Sequence, residues 1–162
     1  MTVRGKFTGD EWEQVLEAPR WVVAAASAAQ PDTAYRTGQE RQQGFIAIAH
    51  GRELGNDLVS AVAEEYLADR RRLDLTFADR AAGMDATIER IGATVGLLTA
   101  KADAGDALAY GRWLADITDA VIAAASSGIG GPLVTAAEKA FRDRVRQAIR
   151  AALTQPPTSP QP

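Results

Sequence analysis

The stretch VVAAAS at residues 22–27 returns almost unchanged as VIAAAS at residues 121–126. Each run leads into a turn that contains proline or glycine. A Thr-x-x-Glu box follows each turn, at residues 37–40 in the first half and at residues 135–138 in the second. Such a box starts a helix, because its two side chains bond to backbone N–H groups that the first helical turn leaves free. The repeat therefore predicts two related helical hairpins in one bundle.

The composition suits one soluble domain with its own core, since 46% of the 162 residues are hydrophobic and 24% are charged. A net charge of -3 and an aromatic content of 6% argue against a nucleic-acid partner. Without cysteine, disulfides, thiolate metal sites and cysteine nucleophiles are excluded. The longest apolar run, Trp21 to Ala29, is about half of the roughly 20 residues that a membrane-spanning helix needs. The first residues also lack the apolar stretch of a signal peptide, so we expect a cytoplasmic protein.

The spacing of apolar side chains at about 3.6 residues predicts six helices and no strands, so the expected fold class is all-α. We expect one helical domain over residues 1–153 and a proline-rich, disordered tail over residues 154–162. A capping box at Thr8 and Glu11 opens the first helix, and Pro19 inside it predicts a kink or a split. The later helices are predicted to run from Thr37 to about His50, from about Asn56 to Arg72, from about Asp79 to Ala102, from about Asp106 to Ser126, and from Thr135 onward.

In each later helix the apolar residues define a face that we expect to be buried in the core. The opposite face of the sixth helix is strongly charged, which is typical of a helix at the surface. The expected core residues are Phe45, Ile46 and Ala49; Leu58, Val59, Val62, Tyr66 and Leu73; Met84, Ile88, Ile91, Val95 and Leu98; Leu108, Leu114, Ile117, Val121 and Ala124; and Ala137, Phe141, Val145, Ala148, Ile149 and Ala152.

Three glycines, Gly83, Gly92 and Gly96, lie inside the predicted fourth helix. Each costs about 1 kcal/mol of helix stability relative to alanine. Our interpretation is that another helix packs closely against these positions. The alternative is a flexible segment that moves when the protein binds a partner.

His50 is the only histidine, and it stands at a predicted helix end before a glycine. A histidine there is typically a carbonyl cap or a half-exposed side chain, and catalysis would require a cleft with an acid or a serine beside it. Glu13 and Glu17 share one helix face and could bind a hard cation, but a solvated helix face explains them as well. The sequence thus predicts no catalytic residue, no cofactor and no metal site.

Two other features allow a functional and a structural interpretation. The glycine turn at residues 128–132 lacks the Gly-Lys-Ser/Thr ending of a phosphate-binding loop, so we interpret it as a helix cap and a turn. The arginines at residues 70–72 and those of the sixth helix could form a basic patch for an anionic partner. Acidic residues alternate with these arginines, which favours an ordinary solvated surface.

A group of uncharacterised bacterial helical proteins resembles this chain in the run Tyr110-Gly111-Arg112-Trp113-Leu114-Ala115-Asp116-Ile117 and in the segments 121–125, 128–132 and 134–138. The opening, residues 7–12 followed by Ala18-Pro19, is similar to the same group. A more distant similarity is to the TerB-like domains of tellurite-resistance systems, which duplicate a helical hairpin with an acidic turn before Ser/Thr-x-x-Glu. In this chain the first turn keeps only Asp32, and the second turn has no acid. The resemblance therefore implies the helical fold and no metal site.

From these features we expect a non-enzymatic scaffold or protein–protein interaction domain, able to self-associate through an alanine-rich helix face. The alternative is a bundle that binds a small molecule or lipid in a pocket between helices, lined by Trp21, Phe45, Met84 and Trp113. A third hypothesis is an enzyme that uses His50 or a pair of carboxylates.

Overall fold

The computed structural model describes residues 3–31, 33–69, 75–126 and 134–156. Throughout these ranges the chain forms helices and turns without any strand, which confirms the predicted all-α fold with six α-helices. Two short 3-10 segments, Val3–Lys6 and Gly51–Glu53, accompany them. The α-helices are α1 (Gly9–Ala28), α2 (Ala34–His50), α3 (Asp57–Ala68), α4 (Arg80–Lys101), α5 (Ala104–Ser126) and α6 (Ala136–Thr154).

Two helices, α1 and α6, begin at the predicted capping boxes. The N–H of Thr8 donates to the carboxylate of Glu11 at 2.8 Å, and the N–H of Glu11 donates to the Thr8 hydroxyl at 3.3 Å. Thr135 and Glu138 make the same reciprocal pair at 2.7 and 3.2 Å. In both helices the box satisfies N–H groups that have no partner inside the helix.

The start of α2 lies before the predicted box at residues 37–40. Thr33 caps this helix, because its hydroxyl accepts a hydrogen bond from the N–H of Arg36 at 3.4 Å. Thr37 is already inside the helix and donates its N–H to the Thr33 carbonyl at 3.0 Å. The predicted start is therefore wrong, since a threonine nearer the turn takes the capping position. The two halves differ at these helix starts, and the duplication stays a prediction.

The helix α1 runs unbroken through Pro19, so the predicted split is wrong. Proline has no N–H, which leaves the carbonyl of Val15, four residues earlier, without its usual helical partner. The hydroxyl of Tyr110, on α5, donates to this carbonyl at 2.6 Å. Tyr110 is fully buried, so its hydroxyl has an acceptor and the helix has a replacement for the missing hydrogen bond.

Trp113, one turn further along α5, also donates a hydrogen bond to a backbone carbonyl of another helix, near the end of α2. Its Nε1–H donates to the carbonyl of Ala47 at 3.2 Å. This carbonyl is available because the N–H of Gly51 bonds to the carbonyls of Ile48 and Ala49. A Cβ atom at position 51 would lie 2.8 Å from the indole ring, so the close contact requires a glycine. The indole thereby satisfies a carbonyl in the last turn of α2.

The face that α2 turns toward α1 differs from the predicted one. Ile46 is 49% exposed, and Phe45 and Ala49 are only half-buried. Gly44 faces α1, where an added Cβ would lie 2.7 Å from a methyl carbon of Val23. The prediction followed large apolar side chains, but a close approach of two helices favours a residue without a side chain.

Most of the other core predictions are confirmed. Leu108 is exposed, however, because α5 turns the face with Tyr110 toward the core, and Ala137 is exposed in the first turn of α6. Leu73 and the predicted end of the third helix at Arg72 fall outside the described residues. The half-buried members are Met84, Ile88, Ala124 and Ala148, and the buried members are Leu58, Val59, Val62, Tyr66, Ile91, Val95, Leu98, Leu114, Ile117, Val121, Phe141, Val145, Ile149 and Ala152.

The glycines of α4 are only partly explained by close packing. At Gly83 an added Cβ would overlap the ring of Phe77, which precedes α4 and belongs to no helix. At Gly92 and Gly96 an added Cβ would meet no atom within 4 Å. The interpretation as helix-packing positions is therefore wrong for these two glycines.

One finding concerns membranes. In the part of the chain that the structure describes, no helix is both long and apolar enough to cross a bilayer.

Candidate functional site

A cleft of about 240 Å³ lies between α1 and α2. Residues three and four positions apart lie on the same face of a helix, so a single stretch of each helix forms a wall. Among the described residues, one of α3 and one of the segment before α4 also line the cleft. The lining residues are Arg20, Val23 and Ala24 from α1, Arg41, Gln42 and Phe45 from α2, then Tyr66 and Leu75.

The walls of this cleft are mainly apolar. Val23, Ala24 and Tyr66 are 9%, 5% and 3% exposed, and Phe45 and Leu75 are half-buried. The apolar surface that they present is therefore held away from bulk water. A ligand with its own apolar surface would be stabilised there by about 25 cal/mol for each Å² removed from water.

Arg20 brings a charged group to the α1 wall. Its Nη1 lies 3.2 Å from the Oε2 of Glu17, one helical turn earlier, and the two side chains are only 22% and 18% exposed. The carboxylate therefore balances the charge of this guanidinium. The Nε–H of Arg20 is buried and has no hydrogen-bond acceptor.

Arg41 brings a second charged group to the α2 wall. Its Nη2 donates to the backbone carbonyl of Leu75 at 3.1 Å, and no carboxylate among the described residues pairs with it. Its Nε–H, like that of Arg20, is buried without an acceptor. A buried polar group left unpaired costs about 1–3 kcal/mol. Two residues that line the cleft thus each have a buried Nε–H without an acceptor.

A second groove of about 260 Å³ continues from this cleft along the turn between α1 and α2. Ala24 and Arg41 line both spaces, so the guanidinium of Arg41 stands at their border. The second groove is more polar than the first. Its other lining residues are Ser27, Ala28, Gln30, Pro31, Thr37, Thr76, Phe77 and Arg80.

Of the four residues predicted to line one pocket, Phe45 alone lines the cleft. Trp21 borders a separate, open groove of about 560 Å³ between α1 and α4, where the Arg90 guanidinium lies 4.3 Å from its ring centroid. Met84 is half-buried on α4, and Trp113 is 1% exposed in the core. That these four residues bind a common ligand stays a prediction.

The two arginines of the cleft were not among the predicted site residues. A signal for one of them exists in the sequence, because Arg20 interrupts an otherwise apolar stretch from Ala18 to Ala26. A charged residue in such a stretch is rarely buried unless it has a partner. No comparable signal marks Arg41, which lies among glutamines and a glutamate.

His50 ends α2 and is exposed, in agreement with the expected half-exposed side chain. Its Nδ1 lies 3.2 Å from the Oε2 of Glu53, and the two side chains are 61% and 70% exposed. The expected carbonyl cap is provided by Arg52, whose Nε donates to the carbonyl of Ala49 at 3.3 Å. The histidine and its acid partner therefore face solvent, whereas the catalytic hypothesis requires a cleft.

The remaining sequence hypotheses concern metals and basic patches. In the described ranges, no three acidic or histidine side chains come together where they could hold a metal ion. Two arginines of α6 pair with acids on α4 and α5, at 2.7 and 2.8 Å, as expected for a solvated charged face. The glycine turn at 128–132 and the arginines at 70–72 lie outside the described residues.

Comparisons with known proteins found no relative of this chain. No protein-family profile matches the chain, and neither a curated protein nor a solved structure is detectably similar to it. The resemblance to bacterial helical proteins and to TerB-like domains stays a prediction. Because a helical bundle by itself does not imply a function, the function has to be argued from the cleft.

Proposed function

We propose that the protein is a non-catalytic binding protein that holds one small apolar molecule in the cleft between α1 and α2. The observation that supports this proposal is the cleft itself, with a volume of about 240 Å³ and mainly apolar walls. An engineered apolar cavity of about 150 Å³ accommodates benzene. The cleft therefore has room for two fused rings or a short alkyl chain.

The way in which the walls are anchored supports binding. Tyr110 bonds to the Val15 carbonyl on α1, and Trp113 bonds to the Ala47 carbonyl on α2. Since both aromatic residues belong to α5, this one helix fixes the two walls relative to each other. A preformed cleft binds more tightly because the protein loses little conformational freedom when the ligand enters.

A variant that fills the cleft tests the proposal. Ala24 is 5% exposed and lines the cleft, so Ala24→Leu adds three carbon atoms to the space that the ligand would occupy. Ala137→Leu makes the same change on the exposed surface of α6 and is the matched control. Binding of 1-naphthalenemethanol and 1-naphthoate is measured by titration calorimetry, with thermal unfolding as the check that each variant folds.

The proposal predicts one bound molecule per chain for at least one of the two ligands. We expect Ala24→Leu to weaken this binding at least about tenfold through overlap with the ligand, and Ala137→Leu to leave it unchanged. Absence of binding of either compound to the wild-type chain would contradict the proposal. So would equal affinities in wild type and a folded Ala24→Leu variant.

The second candidate function is the protein–protein interaction expected from the sequence. Two large side chains on α2 favour it, because Tyr35 is 74% and Ile46 is 49% exposed. Tyrosine is enriched at protein interfaces. If this face mediates self-association, native mass spectrometry of the wild-type chain shows a multiple of 17.2 kDa, and Ile46→Glu restores the monomer. A monomeric wild type at high concentration excludes self-association through this face.

A further inference from the structure

We propose that the ligand of the cleft is an apolar monocarboxylic acid, with its carboxylate bound by Arg41 and Arg20 and its hydrocarbon part against Phe45 and Tyr66. This inference rests on the proposed function, because it names the chemical class of the molecule that the cleft would hold.

The charges around the cleft favour an acid with a single negative charge. None of the described residues that line the cleft is acidic. The charge of Arg20 is balanced by Glu17 at 3.2 Å, whereas Arg41 donates only to the neutral carbonyl of Leu75. Among the described residues that line the cleft, the guanidinium of Arg41 is therefore the positive charge that no carboxylate balances at short range. A partly buried charge is stabilised by a counter-ion at short range, and a monoanionic ligand provides one.

The hydrogen-bond donors favour an oxyanion over a neutral polar group. The Nε–H groups of both Arg20 and Arg41 are buried and have no acceptor. Each is shielded from water, so a ligand oxygen reaches it only when the guanidinium turns toward the cleft. Turning exchanges an unpaired donor for a charge-assisted hydrogen bond, which is about twice as strong as a neutral one. Binding is thus coupled to a rotation of the arginine side chains.

The position of Arg41 also sets the direction in which the acid lies. Arg41 stands at the border between the apolar cleft and the more polar second groove. Phe45 is one helical turn further along α2, and Tyr66 is 3% exposed on α3. A molecule with an acidic end and a hydrocarbon end matches this order, because the carboxylate stays near the polar groove while the hydrocarbon enters the cleft.

The test compares ligands that share one ring system and differ in the polar group. Dissociation constants are measured by titration calorimetry for 1-naphthoate, 1-naphthalenemethanol, dianionic 1-naphthyl phosphate and inorganic phosphate alone. The protein variants are Arg41→Gln, which removes the charge, and Arg41→Lys, which keeps the charge and removes the guanidinium. Arg90→Gln is the control, since Arg90 stacks on Trp21 outside the cleft. Thermal unfolding confirms that every variant is folded.

We expect 1-naphthoate to bind wild type at least about tenfold more tightly than 1-naphthalenemethanol, because of these two compounds only the acid offers an anionic acceptor. Arg41→Gln abolishes this preference, and Arg41→Lys loses most of it, because an ammonium group does not replace the planar guanidinium. Arg90→Gln retains the preference. Inorganic phosphate alone binds far more weakly than 1-naphthoate.

Three results would overturn the inference. Equal affinity for the acid and the alcohol would show that the cleft binds apolar molecules without recognising a carboxylate, and the proposed function would stand. Tighter binding of 1-naphthyl phosphate or of inorganic phosphate would contradict a site for a monocarboxylate. A preference that persists in folded Arg41→Gln would place the acid elsewhere. Absence of binding by every ligand would instead remove the proposed function itself.

Discussion

Two regions of this bundle carry polar side chains inward, and they treat their hydrogen-bond donors in opposite ways. On α5, the donors of Tyr110 and Trp113 each reach a backbone carbonyl that a helix leaves open. At the cleft between α1 and α2, the Nε–H groups of Arg20 and Arg41 reach no acceptor.

The two regions differ in whether their buried N–H and O–H donors have acceptors. Buried donors in folded proteins almost always have acceptors, so the α5 region follows the rule for a structural core. Exceptions to this rule require an explanation, and for the two arginines we propose that it is the binding of a carboxylate. Tyr110 and Trp113 bond inside the core, whereas we propose that the two arginines bind a ligand.

The largest change in the free energy of unfolding is expected for a substitution on α5. Trp113→Ala removes a fully buried indole and its bond to Ala47, and we expect a loss of about 3–5 kcal/mol in the free energy of unfolding. Urea unfolding measures it. Trp21→Ala is the control, because Trp21 is only half-buried at a groove and should cost clearly less. Equal losses for the two variants would contradict the structural role of Trp113.

Tyr110→Phe tests the hydroxyl without removing the ring. The carbonyl of Val15 then has neither a proline N–H nor a tyrosine hydroxyl as a donor, so we expect a loss of about 1–3 kcal/mol. In a Pro19→Ala background the backbone N–H returns and can bond to Val15, so the same substitution should cost less. If both backgrounds lose the same amount in urea unfolding, the compensation between these two residues is disproved.

Gly51 and Gly96 differ in whether there is space for a side chain at their position. A Cβ at Gly51 would lie 2.8 Å from the Trp113 indole, so Gly51→Ala should destabilise the protein by about 1–3 kcal/mol. At Gly96 a Cβ meets no atom within 4 Å, so Gly96→Ala should stabilise α4 by up to about 1 kcal/mol. Thermal unfolding of both variants checks the signs, and the same sign for both would be inconsistent with this packing.

The α5 region also predicts a loss of stability in alkali. Burial raises the pKa of Tyr110 far above its ordinary value. Above about pH 10 the tyrosine of the unfolded chain releases its proton while the folded one keeps it, so stability falls by up to about 1.4 kcal/mol per pH unit. Urea unfolding between about pH 9 and about pH 11 should show this fall, with a shallower slope for Tyr110→Phe. Identical slopes would contradict the assignment to Tyr110.

The smallest change in the free energy of unfolding is expected for a substitution in the cleft. Arg41→Leu loses the hydrogen bond to Leu75 but also removes a buried Nε–H without an acceptor, so the two contributions nearly cancel. We expect the free energy of unfolding to change by less than about 1 kcal/mol in the absence of ligand. A loss as large as that of Tyr110→Phe would show that Arg41 stabilises the fold rather than a ligand.

The same contrast explains which features the sequence could predict. The boxes at Thr8 and Thr135 were correct because capping depends on residues three positions apart. The box at Thr37 failed because Thr33, closer to the turn, competes for the same position. Ile46 was misplaced because the inner face of α2 is decided by the approach of α1 at Gly44, which is a property of the assembled bundle.

The cleft could not be predicted for a related reason. Arg20 and Arg41 are separated in sequence and meet at one cleft only when α1 and α2 pack. Whether an arginine has an acceptor depends on geometry, and no spacing in the sequence encodes it. The aromatic residues chosen instead, Trp21 and Trp113, are large and apolar, but the bundle uses Trp113 for its core.

The measurement that tests the central claim most directly is an NMR titration of the arginine Nε–H resonances with 1-naphthoate. The account predicts that the signals of Arg20 and Arg41 move on addition of the acid, as their protons gain an anionic acceptor, and that the signal of Arg90 does not. Addition of 1-naphthalenemethanol should leave all three in place. Unchanged signals of Arg20 and Arg41 at saturating 1-naphthoate would contradict the account.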